Sequence, residues 1–185
     1  VKIGQTKKRK KDMRKLAIIA LVCALLWPVL PAAAQQQAAQ QQPSQSPGKK
    51  LEALFAAAEI PFTKAEEGRY IAVITVEEGE SDRFQVFLTA LGNDPNNEKL
   101  QVIQLYFLLG QLPKGAQVPA ALIKQVAEWN ANLTLGKVVI ISNVILYTSS
   151  SWLSRTDADT LAVDAVVGHY ASKDLRKNVE PYLKQ

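Results

Sequence analysis

Cysteine is almost absent from this 185-residue chain, and the single copy, Cys23, lies inside an apolar run over residues 16–30. Everything after that run therefore lacks the thiol needed for a disulfide, a thiolate nucleophile or a Cys-ligated metal. Histidine is equally scarce: His169 alone must serve any imidazole chemistry. Zinc-ligand spacings, glycine-rich phosphate loops and a Gly-x-Ser-x-Gly elbow are all missing. Long hydrophobic runs are missing too. The longest, residues 16–30, contains Pro28 and falls short of the roughly twenty apolar residues that a spanning helix needs.

What that run does fit is a secretory signal. Arg14 and Lys15 precede it, and Pro31, Ala32, Ala33, Ala34 and a glutamine tract follow it. Basic start, apolar middle and small-residue end are the three parts that signal peptidase reads, with cleavage expected between Ala34 and Gln35. The run Lys7-Lys8-Arg9-Lys10-Lys11 is an extension of the basic start, and Val1 suits a non-AUG start codon. Val22 before Cys23 does not suit lipoprotein processing. The expected location is periplasmic or secreted, with the membrane touched only in transit; an uncleaved signal would instead make a tethered structural protein.

Removing that segment reverses the electrostatics. Residues 1–34 hold eight Lys or Arg and one Asp, a net of +7 against +5 for the whole chain, which leaves residues 35–185 at −2. A slightly acidic chain has no footprint for phosphate backbones, so nucleic acid is excluded as a partner.

Three segments result: a signal over 1–34, a leader over 35–48 and one domain over 49–185. The leader, QQQAAQQQPSQSPG, has too little apolar bulk to offset the entropy of ordering. In the domain, Leu51, Leu54, Phe55 and Ala58 recur at helical spacing over 49–59, and Ile60-Pro61 ends that helix. β-branched and aromatic residues predict strands over 69–77, 83–91 and 100–109, separated by EEGESD and GNDPNNE. Pro119 opens a second helix to about Asn132, with Leu122, Ile123, Val126 and Trp129 facing inward. KVVIIS and VILYTS form a strand pair turning at Ser142-Asn143. Thr156 or Asp157 caps a long last helix that Pro181 limits at Val179 or Glu180. The order α-β-β-β-α-β-β-α predicts an α+β fold with one antiparallel sheet of about five strands.

The strands are apolar on both sides. Tyr70, Ala72, Ile74 and Val76 share one face and Ile71 and Val73 the other; Ile103, Leu105 and Phe107 oppose Val102, Tyr106 and Leu108. A sheet wetted on one side alternates apolar with polar, and this one does not. Either the helices divide between the faces, or one face waits for a client polypeptide or a second copy.

The step Ile60-Pro61-Phe62, the meander, Trp129-Asn130-Ala131-Asn132 and Leu135-Gly136-Lys137-Val138 together resemble the YbjN family, sometimes labelled a bacterial sensory transduction regulator, over roughly residues 51–170. The resemblance implies a fold similar to that of type III secretion chaperones and a module that binds or regulates proteins without chemistry. Neither catalytic residues nor a cofactor or metal are expected.

Against that stands a hydrolase or ligand-binding enzyme built on His169 and Ser149, Ser150 and Ser151. Asp164, five residues before His169 on one helix, points about 140° away, so a triad with it is not expected. His169 reads as a surface or core-edge residue. Glu77, Glu78, Glu80 and Asp82 are the densest carboxylates, and their spacing lacks the EF-hand pattern, so a solvated hairpin turn is expected. Gly92-Asn93-Asp94-Pro95-Asn96-Asn97 reads as a turn before a ligand loop, and Asn132-Leu133-Thr134 matches a glycosylation acceptor.

Overall fold

The computed structural model describes residues 45–183 except 78 and 79, and the side chain of Glu77 is likewise outside the described set. The expected signal, its cleavage point at Ala34-Gln35 and residues 35–44 of the leader lie outside the described residues, while Pro47 and Gly48, expected in the leader, open the first helix and are buried. Among the described residues, no helix is long and apolar enough to cross a membrane.

Helix α1 (Pro47–Ala57) starts where Ser46 Oγ accepts from Lys49 N at 3.4 Å and Pro47 occupies the first turn. It closes through Ile60 N donating to Phe55 O at 3.0 Å, with Glu59 in the left-handed region at φ 55°. The strands are β1 (Phe62–Glu66), β2 (Arg69–Glu77), β3 (Glu80–Ala90), β4 (Gln101–Gln111), β5 (Lys137–Ile141) and β6 (Val144–Trp152). Helix α2 (Ala120–Asn132) joins β4 to β5, and α3 (Ala158–Leu183) ends the order. The sheet runs β1-β2-β3-β4-β6-β5 with every pair antiparallel. The α+β reading therefore stands, with one strand more than expected.

The extra strand is β1. Only Phe62 turns inward, and Thr63, Lys64 and Glu66 lie exposed at the sheet edge. A strand wetted on both sides carries no alternation for the eye to find. Two helix expectations also change. Ile123 of α2 is 56% exposed, because the inward stripe is Leu122, Val126 and Trp129, at steps of four and three. Helix α3 runs through Pro181 to Leu183; in the final turn the lost N–H costs one bond, and Val179 and Leu183 pack beside Gly110.

The core lies on one side of the sheet. Its strand residues are Tyr70, Ala72, Phe84, Val86, Ile103, Leu105, Phe107, Ile145 and Tyr147. Leu51 and Phe55 of α1, Leu122 of α2 and Leu161, Ala165 and Val179 of α3 complete the same cluster. Phe84 and Phe107 stack with centroids 4.8 Å apart. Above them α3 approaches so closely that a side chain at Gly168 would enter the Phe107 ring.

Candidate functional site

With the helices on one side, the other face of the sheet is uncovered by any described element. Strand alternation puts Ile71, Arg83, Gln85, Tyr106, Leu108, Leu146 and Ile141 on it, and they line a shallow groove of about 550 Å³ together with Val144. Leu108 is 50% exposed and Ile141 52%. At one flank Phe87 meets Tyr106 edge-on at 5.3 Å, with the Arg69 guanidinium 5.4 Å from the Phe87 ring centre. At the far end of β3, β4 and β6 a second hollow of about 300 Å³ holds Thr89, Leu91, Gln104, Ser150 and Trp152.

Unmatched charge on this face, among the described residues, is positive. Arg69 is matched by Glu66 at 3.3 Å and by the Gln85 amide. Among the described residues the Arg83 guanidinium makes no hydrogen bond or ion pair, and it stands exposed at the groove.

The three serines do not converge. Ser149 and Ser151 point toward the helices, and Ser150 points to the open face, as β6 requires. Ser149 Oγ is enclosed and makes no hydrogen bond, and Ser151 donates to Asp164. Burial raises the Asp164 carboxyl above the usual range, and that hydrogen bond opposes the rise.

His169 is not a surface residue: it is 3% exposed. Its Nδ1 lies 3.4 Å from Asp82 Oδ2 and its Nε2 3.5 Å from Glu80 Oε1. Arg176 Nη2 donates to both oxygens of Asp82 at 3.0 and 2.9 Å, Ser172 Oγ lies 3.3 Å from Asp82 Oδ2, and Lys173 Nζ sits 2.6 Å from Glu80 Oε1. The Lys173 ammonium holds Glu80 below the usual carboxylate range. The expected solvated acidic turn is, at Glu80 and Asp82, a dock for α3. The signal was present in the sequence: Glu80 and Asp82 share parity with Phe84, and His169, Ser172, Lys173 and Arg176 form one helical stripe. Each carboxylate already faces a cation, so the cluster works as a clasp. No group of three or more His, Cys, Asp or Glu suited to a metal occurs among the described residues.

The family model described as "Putative bacterial sensory transduction regulator", YbjN, matches residues 47–172. The chain belongs to the YbjN family. The match spans α1 through the middle of α3, the whole sheet included. Chains of two solved structures are similar to it. One is in the HopA1–SchA chaperone–effector complex, with 14% identity and a TM-score of 0.43, covering 70% of this chain and 91% of that one. The other is in the Yersinia pestis type III secretion chaperone SycH in complex with a stable fragment of YscM2, at 13% and 0.43, covering 70% and 99%. No curated protein matches the chain.

In this YbjN chain the Asn130-Ala131-Asn132 and Leu135-Gly136-Lys137 steps have structural work. Asn130 Nδ2 donates to Val138 O at 2.9 Å and its Oδ1 accepts from Val138 N at 2.7 Å, so one side chain occupies the outer edge of β5 as a neighbouring strand would. Leu135 O accepts from Tyr147 Oη at 2.9 Å. Gly136, at φ 71°, lies against the Tyr147 phenol, where no side chain fits.

Proposed function

We propose that this YbjN protein is an exported, non-enzymatic protein-binding module with a regulatory role, acting by contact through the open face of its sheet. One observation carries the reading: an apolar groove crosses five strands, and no described helix covers it. A helix-free face of this kind exposes area that water disfavours and a partner would bury. The signal-like segment at residues 16–30 and the family's regulatory description support the location and the role. The separated serines and the clasped His169 favour contact over catalysis.

The test has two arms. A photo-crosslinker placed at Tyr106 of the exported protein captures a polypeptide, and Leu108→Asp or Ile141→Asp weakens that capture by about tenfold or more, the order expected for an apolar anchor. N-terminal sequencing of the exported form reads Gln35 first. Crosslinks indifferent to both substitutions, turnover of a metabolite by the purified protein, or a full-length chain resident in the cytosol would overturn the proposal.

A further inference from the structure

We infer that the groove on the open face takes a polypeptide segment in which an acidic side chain stands between apolar ones, its carboxylate meeting the guanidinium of Arg83. The inference rests on the reading of that face as a protein-binding surface and names the chemistry of its partner.

Arg83 projects from β3, the second of the five strands in the groove wall, with Ile71 on β2 to one side and Tyr106 and Leu108 on β4 to the other. A guanidinium in such apolar company usually has a carboxylate of its own chain nearby, and this one has none among the described residues. The strands β3, β4, β5 and β6 contribute no Asp or Glu to the open face; Lys137 of β5 is the other cation there. In water an isolated ion pair of this kind contributes little. Covering the groove with an apolar segment removes water from around Arg83, and the same pair then becomes both stronger and more selective. An unpaired guanidinium under an apolar lid would be penalised, so the lid must bring an acceptor.

The same charges argue against other occupants. Two copies joined through this face would bring Arg83 and Lys137 against the same cations, and the one described carboxylate on it, Glu66, is already held by Arg69. An anionic membrane is held by clusters of roughly four to eight Lys or Arg. This face offers Arg83 and Lys137, Arg69 being matched already. Size fits a peptide. Five adjacent strands span roughly 20 Å at ~4.8 Å each, which accommodates about six residues of extended chain or roughly a dozen of helix.

A display library of random twelve-residue peptides, panned against the full chain and against Arg83→Glu, tests this. The wild type is expected to enrich segments with Asp or Glu flanked by apolar residues, and Arg83→Glu to enrich Lys or Arg at that place. A selected acidic peptide should bind Arg83→Gln about tenfold more weakly, the order of a charge-assisted hydrogen bond. Arg83 is exposed and, among the described residues, bonds nothing through its side chain, so both variants should keep the wild-type circular dichroism. Peptides lost on Leu108→Asp but indifferent to Arg83 would refute the charge pairing while leaving the face as the binding surface. No enrichment, or enrichment untouched by either substitution, would overturn both. Phosphatidylglycerol vesicles bound through Arg83, with no acidic peptide selected, would overturn the inference in favour of a membrane.

Discussion

Asp164 shows how a single half-buried carboxyl couples folding to pH. Burial raises it above its ordinary value near 3.8, and the Ser151 hydroxyl offsets only part of the rise. Its folded state therefore holds the proton more tightly than its unfolded state. The stability so gained is fully present below the unfolded value and is lost as pH rises through the folded one. Asp164→Asn escapes that loss. Its melting temperature relative to wild type should climb between pH 3.5 and pH 7, by roughly a few degrees given the solvent that still reaches the site. Calorimetry across that range checks it; a difference that stays flat with pH would refute the linkage. Tyr70 titrates at the other extreme, where burial and then Glu52 push the phenol up to about 12. His169 looks peripheral in the sequence because its own neighbours there give it nothing to bond. Its partners lie far off in β3, Asp82 being 87 residues away.

Within the elements, helix α3 depends on a glycine that helix propensity alone would replace. Alanine is the better helix former by about 1 kcal/mol. At Gly168 the added methyl group would enter the Phe107 ring, which is held against Phe84 and cannot retreat. Overpacking wins: Gly168→Ala should destabilise the domain by about 1–3 kcal/mol in denaturant unfolding, and a gain in stability would show that α3 can lift. The same helix explains why Pro181 does not stop it, since Val179 is buried and Leu183 reaches Gly110. Helices α1 and α2 and strands β2, β4, β5 and β6 were legible because each has an inward stripe at its own period. Strand β1 was not, because its inward content is one residue, Phe62.

For the molecule as a whole, an open sheet with two edges is a standing invitation to pair with other copies. The β1 edge is short and polar. The β5 edge is closed where Asn130 takes both outward backbone groups of Val138. Asn130→Ala would free them, and light scattering should then show self-association that rises with concentration, while the wild type does not change. A variant that stays in the wild-type state at every concentration would deny Asn130 this role. Asn130 thus acts in this chain as an edge guard, a structural role that needs no catalytic residue.

Alternation and turn chemistry, both local, determined strands β2 to β6, the antiparallel pairing of those joined by short turns and which residues share a face; composition determined that the described domain must hold together without disulfides. Which face the helices would cover was open in the sequence, because both faces are apolar and either would bury a helix favourably. Tertiary structure decided it. Asp82 and Glu80, on the same side as Phe84, clasp α3 through residues as many as 94 positions away. Gly168 and Phe107 let the helix lie close on that side alone. Periodicity shows which residues share a stripe but not which stripes meet across such separations, and these meetings are what leave Tyr106, Leu108 and Arg83 facing water.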